Sequence, residues 1–187
     1  MNVDKHYMIL NKLVKGNGIV LWGATSLDEQ LVSELLQEFD LGKRIYNRSV
    51  SGLTLGEAEK YLEPCVLELR PSRVILNLGE EDLKVSSDVM KMIEQYRWIL
   101  YRIHVELPDC QLVVTTVPGE GEVAECFNDK LEELAREVGC TFYRVPRVSG
   151  EEAYVPAFLG AIKFSLYESV AGYSGIASRV VFDMMMQ

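Results

Sequence analysis

Gly18-Ile19-Val20-Leu21-Trp22-Gly23-Ala24-Thr25-Ser26 decides how the rest of the chain is read. Four consecutive large apolar residues without polar alternation form a strand buried on both faces, and the small and hydroxyl residues after them turn the chain toward a helix. Four further runs share that character: Arg44–Tyr46, Arg73–Leu78, Gln111–Val117 and Thr141–Arg144. Between the runs, apolar residues recur at helical spacing, as Leu31, Leu35, Leu36 and Phe39, then Met90, Ile93, Arg97, Leu100 and His104, then Leu131, Leu134, Ala135 and Val138. A strand period giving way repeatedly to a helix period predicts βαβ units wound around a parallel sheet.

Thr54–Arg70 is helical in composition but contains Pro64, which removes a backbone donor and divides the stretch into two short helices. A later helix is predicted from about Pro156 to Ser169 on the period of Phe158, Leu159, Ile162 and Leu166. The end of the chain, Val180–Gln187 with its triplet Met184–Met186, stays open between core filling and a subunit contact. No repeat, linker or low-complexity segment interrupts the 187 residues. A single domain over 1–187 is expected, with 1–17 as an N-terminal extension and 171–187 as a tail.

Hydrophobic residues make up 48% of the chain and charged ones 25%, the balance of a globular protein rather than a disordered or collagenous one. The formal charge of −9 repels a phosphate backbone, so nucleic acid is an unsuitable partner. No apolar run approaches the ~20 residues that cross a bilayer, and Met1–Val14 is interrupted by Asp4, Lys5, His6 and Lys12, unlike an export signal. The cysteines at 65, 110, 126 and 140 lack metal-ligand spacing and read as buried thiols, so a reducing, cytoplasmic setting is expected.

In an open parallel sheet, ligands bind beyond the carboxyl ends of the strands. The loops there are Gly23-Ala24-Thr25-Ser26, Asn47-Arg48-Ser49-Val50-Ser51-Gly52 and Gly79-Glu80-Glu81-Asp82. In this order and spacing they resemble the first three sequence blocks of the SGNH (GDSL-type) hydrolase family: the strand ending in Gly-Asp-Ser, the block whose glycine amide helps form the oxyanion hole, and the Gly-x-Asn-Asp block. The resemblance extends over residues 18 to 165. It implies a three-layer α/β/α sandwich with a five-stranded parallel sheet in the flavodoxin-like order 2-1-3-4-5.

The resemblance also places the family's functional positions. The nucleophilic serine falls on Thr25 and the aspartate before it on Ala24, with Ser26 available by a shift of one. The oxyanion glycine is Gly52, the oxyanion asparagine falls on Glu81, and Asp82 follows it. The base histidine falls on Tyr154, and the aspartate three residues before it on Glu151. Each departure works against acyl transfer. A threonine hydroxyl still needs an adjacent base. An ionised glutamate offers only acceptors where a donor must meet the oxyanion. The two histidines, His6 and His104, both stand outside the last block.

The same residues also have structural explanations. Thr25 and Ser26 would cap a helix starting near Leu27. Gly52 would supply a turn with φ > 0. Glu80, Glu81 and Asp82 would form a solvated acidic turn. A divalent cation is a further option, because Asp28, Glu80, Glu81, Asp82, Glu120, Glu122, Glu151 and Glu152 fall around one mouth, with Glu81, Asp82 and Glu151 as candidate ligands. In such a crowd of carboxylates, Glu81→Gln should leave folding unchanged or slightly stabilised.

The sequence therefore predicts an SGNH-like protein without the Ser-His pair, acting as a non-catalytic binding or interaction protein. The alternatives are an esterase or carbohydrate-acyl hydrolase rebuilt around Thr25 or Ser26, and a metal-assisted hydrolase using the acidic mouth. No cofactor is expected, and the partner would be an unidentified small molecule or protein.

Overall fold

The computed structural model describes residues 3–14, 16–27, 44–148 and 151–167. Its centre is a parallel sheet of β1 (Ile19–Gly23), β2 (Ile45–Asn47), β3 (Arg73–Asn77), β4 (Gln111–Thr115) and β5 (Thr141–Tyr143), in the order β2-β1-β3-β4-β5. All neighbours are parallel, with Ile19 opposite Ile45 and Arg73, Leu76 opposite Val114, and Val113 opposite Thr141. This is the predicted order. The apolar runs overreached at their carboxyl ends, where Leu78, Thr116 and Val117 leave the ladder to carry loops.

The helices are α1 (Val3–Asn11), α2 (Ala58–Cys65), α3 (Glu80–Val85), α4 (Val89–Glu106), α5 (Gly121–Glu137) and α6 (Glu151–Tyr167). Strand side chains alternate between two faces, so each face needs its own cover. Val20, Trp22, Val74, Leu76 and Val114 face a cluster with α2, α4, α5 and Tyr7 of α1. Ile19, Leu21, Ile75 and Val113 face Val155, Phe158, Leu159 and Ile162 of α6. Helices on both faces of the sheet make a three-layer α/β/α fold. Each large side chain removed from water in these layers contributes ~1.5–3 kcal/mol, which is why the β1 run is continuous rather than alternating.

Several expectations change. The helix expected over Leu31–Phe39 and the tail Val180–Gln187 lie outside the described residues. The extension is part of the fold: Tyr7 is buried and its hydroxyl donates to the Ser49 carbonyl at 2.7 Å, while the Asn11 amide donates to the Pro64 carbonyl at 2.7 Å. Pro64 ends α2 inside its last turn, and only a 3-10 turn, Leu67–Leu69, follows. The buried stripe of α4 runs through Met92, Ile93, Tyr96, Ile99, Leu100, Ile103 and His104, so Met90 and Arg97 belong to the outer side. α6 begins at Glu151 and carries Pro156, exposed, inside it. Reading that proline as a helix start hid the preceding turn. All four cysteines are free, but only Cys65 is buried as expected; Cys110 and Cys140 are half-buried and Cys126 is exposed on α5. Among the described residues, no helix is long and apolar enough to cross a membrane.

Candidate functional site

Parallel register brings the ends of β1 and β3 level, with Gly23 opposite Asn77. The loop after β2 runs alongside them, because the Arg48 amide donates to the Leu21 carbonyl at 2.8 Å and the Val50 amide to the Gly23 carbonyl at 3.1 Å. The Ser49 hydroxyl accepts from the Gly23 amide at 3.0 Å and fixes the crossing. At Gly52 the backbone takes φ +76°, a region costly for residues with a Cβ, and this aims its N–H at Thr25 Oγ1, 2.9 Å away.

Thr25, Gly52 and Glu81 thus form one cluster. The Thr25 hydroxyl donates to Glu81 Oε1 at 2.6 Å, and the Ser51 hydroxyl lies 3.4 Å from it. Lys84 Nζ donates to the same Glu81 oxygen at 2.8 Å and stands 3.5 Å from Glu80. The neighbouring carboxylates turn elsewhere. Glu80 Oε2 accepts from the Ser26 amide at 3.0 Å, and Asp82 Oδ2 accepts from the Leu55 amide at 2.9 Å.

Thr25 donates its hydroxyl to Glu81, Glu80 accepts from the Ser26 amide, and Thr25–Leu27 is a 3-10 turn; the helix that Thr25 and Ser26 are expected to cap lies outside the described residues. The reading of the acidic triplet is corrected: it is not a solvated turn, since Glu80 and Asp82 are each only 8% exposed.

The electrostatics follow from the contacts. Burial would raise the Glu81 carboxyl, but the hydrogen bonds from Lys84 and Thr25 and the charge of Lys84 outweigh it and hold the group below its ordinary value. Burial is the largest influence on Asp82 and raises it, although the Leu55 amide pulls the other way. The Glu81 hydrogen bond raises Lys84. A carboxyl lowered on folding adds stability that is full above its ordinary value of 4.5 and is lost as the pH falls through the lower folded value. The expectation for Glu81→Gln therefore reverses in sign. The substitution should destabilise by on the order of 1 kcal/mol at pH 7, because it removes a charge-assisted partner of Lys84 while keeping an acceptor for Thr25. Urea melts of both proteins should show this gap narrowing below about pH 4.5.

Behind the cluster lies a second polar layer. The Asn77 amide nitrogen donates to Thr115 Oγ1 at 2.7 Å, to the Thr116 carbonyl at 2.8 Å and to the Tyr154 hydroxyl at 2.9 Å. The Tyr154 hydroxyl in turn donates to the Thr116 carbonyl at 3.2 Å, and Thr116 Oγ1 accepts from the Val145 amide at 2.9 Å. Tyr154 therefore joins α6 to the ends of β3 and β4 and is engaged away from Thr25. Burial pushes its phenol well above the ordinary value, so it cannot replace an imidazole as a base near neutrality. Sequence reasoning did not single out Asn77 or Thr116. The available signal was an amide closing an otherwise apolar, fully buried strand, where it must find partners.

Among the described residues, no other candidate joins the Thr25 cluster. The side chains of Glu151 and Glu152, and Asp28 altogether, lie outside the described residues. Glu120 and Glu122 are exposed near the start of α5. Among the described residues, no three acidic, histidine or cysteine side chains are grouped to hold a metal ion, because Glu81 and Asp82 face different partners. His6 is exposed on α1 and His104 is buried on α4.

No protein-family model matches this chain, and no curated relative does. Solved structures do. A Streptococcus pneumonia protein provisionally described as a platelet activating factor superposes with TM-score 0.76 and 16% identity over 88% of this chain and 91% of that one. A GDSL-like lipase from Bacteroides thetaiotaomicron gives 0.70 and 14% over 87% and 96%. An acetylxylan esterase from Geobacillus stearothermophilus gives 0.58 and 17% over 83% and 99%. The chain has the fold of the SGNH (GDSL-type) hydrolases, as its three loop blocks implied.

Proposed function

We propose that this SGNH-like chain is a non-catalytic binding protein, and the observation that carries the reading is the closed chain Lys84–Glu81–Thr25–Gly52. An acyl-transfer site needs a hydroxyl facing a base of suitable pKa and amide donors free to meet an oxyanion. Here the hydroxyl is committed to a carboxylate whose charge is stabilised, and the Gly52 amide is committed to the hydroxyl. The resemblance also puts a carboxylate, Glu81, at the family's oxyanion-donor position, where a developing negative charge would need a donor. The four free thiols support a reducing, cytoplasmic setting for the protein.

A second reading, an ester hydrolase rebuilt around Thr25, draws on the 2.6 Å hydrogen bond, which points the hydroxyl proton at Glu81. The two readings separate on p-nitrophenyl acetate. Under the binding reading, wild type and the double variant Thr25→Ala, Ser26→Ala hydrolyse it at the same rate within about twofold. A wild-type rate 100-fold or more above that of the variant, abolished also by Glu81→Gln, would reject the binding reading and identify a carboxylate-activated threonine.

A further inference from the structure

We propose that the groove between α2 and α4 is a binding site for an amphiphilic carboxylate, a molecule with an apolar body and one anionic end. The groove encloses about 340 Å³, within the range of small-ligand sites, and shares no residue with the Thr25–Glu81 cluster. Leu55, Leu62, Trp98 and Ile99 make its apolar walls. Its depth depends on Gly56: a Cβ there would lie 3.3 Å from the Gln95 amide nitrogen, so any larger side chain would project into the space.

The walls leave an unusual amount of aromatic surface in water. Trp98 is 41% exposed although Tyr101 stacks on it at 5.7 Å and the Arg102 guanidinium lies 5.7 Å from its ring. An indole held in place by its neighbours offers apolar contact at little further loss of freedom.

Charge selects the class of ligand. Four ionised side chains line the groove, two acids and two bases: Glu59 lies 3.5 Å from Arg102, and Glu94 lies 4.0 Å from Arg97, an arginine outside the groove that is held at 3.0 Å by Glu137. The Lys91 ammonium makes no ion pair or side-chain hydrogen bond among the described residues. The lining charges sum to zero, and the one with no ion pair among the described residues is a cation, in a chain that carries −9. A carboxylate can meet Lys91 while its apolar body covers Trp98 and Ile99. A cationic amphiphile would face the unpaired Lys91 ammonium and, at Glu59, would have to displace Arg102 from an existing pair.

Titration of the full chain with decanoate below its micelle threshold, followed by tryptophan fluorescence, tests the site. Trp22 is fully buried, so Trp98 is the reporter, and Trp98→Phe should remove the signal. The expected result is a saturable change, with Kd about tenfold higher in Lys91→Gln, binding lost in Gly56→Leu, and no saturation by decyltrimethylammonium. Thr25→Ala should bind as wild type does, so this result stands or falls apart from the reading of the Thr25 cluster. No saturation by wild type would overturn the site. Equal binding of the cationic amphiphile, or an unchanged Kd in Lys91→Gln, would overturn the assigned chemistry. Should Gly56→Leu fail to fold in thermal melts, Lys91→Gln, an exposed substitution, still decides.

Discussion

Asn77→Asp is expected to cost about 3–4 kcal/mol of unfolding free energy at pH 7 and to lower the melting temperature by roughly 10 °C. Asn77 is fully buried, and its amide nitrogen faces three acceptors, one of them the Thr116 carbonyl, which can only accept. A carboxylate in that position sets an oxygen against the Thr116 carbonyl, can be met by the Thr115 and Tyr154 hydroxyls only if they leave the Leu76 and Thr116 carbonyls they donate to, and buries a charge without a counterion. The variant carboxyl must therefore titrate well above its unfolded value of about 3.9, so the folded variant takes up a proton first as the pH falls. Its deficit relative to wild type should shrink from pH 7 to pH 5, because a protonated Asp can donate to Thr116. Urea melts of both proteins across that range measure this. A deficit below 1 kcal/mol, or one that does not change with pH, would mean that the Asn77 layer does not hold the ends of β3, β4 and α6 together.

Gly79→Ala is expected to cost about 2–4 kcal/mol, from two sources that a control can separate. Gly79 takes φ +112°, and a Cβ there would lie 2.8 Å from two ring carbons of Phe127, which is fully buried in α5. Gly121 has φ +82° but nothing within 4 Å of a Cβ, so Gly121→Ala pays for backbone strain alone, about 1 kcal/mol. The difference between the two variants in thermal or urea melts is the Phe127 clash together with the extra strain of φ +112° over +82°. Gly79 also begins the turn that presents Glu80 and Glu81, so Gly79→Ala should shift the amide resonances of Ser26 and Gly52, whereas Gly121→Ala should not. Equal costs for the two would show that Phe127 moves aside and that the Glu81 turn is not pinned by packing.

Of the fold, the central strands were the most legible. Ile19–Trp22 and Val74–Leu76 are continuous apolar runs because both faces of those strands are covered, and such runs need no knowledge of their neighbours to be recognised. The phase of α4 was less clear: Met90 and Arg97 fit a helical period, but which stripe faces inward depends on where the sheet lies. α1 was not legible at all. Its anchor is a hydrogen bond from Tyr7 to Ser49, 42 residues away, together with the stacking of Arg48 against Tyr7 and Tyr46 at 5.0 and 5.6 Å. Nothing local in a nine-residue helix marks such contacts.

By itself the sequence determined the class of sheet, its strand order through the resemblance of three loop blocks, and the residue types at the carboxyl ends: a threonine, a glycine, a glutamate and a tyrosine at positions 25, 52, 81 and 154. These follow from local pattern and chain order. Only the tertiary structure decided what the residues do to one another. Glu81 read from sequence as one of several repelling carboxylates; three-dimensional contact pairs it with Lys84 and Thr25, so its removal is expected to destabilise rather than stabilise. Tyr154 read as a degenerate base; contact makes it a buried strut against Asn77 and Thr116. The physical reason is that hydrogen bonds and charge pairs act over about 3 Å, whereas their partners here stand up to 77 residues apart in the chain.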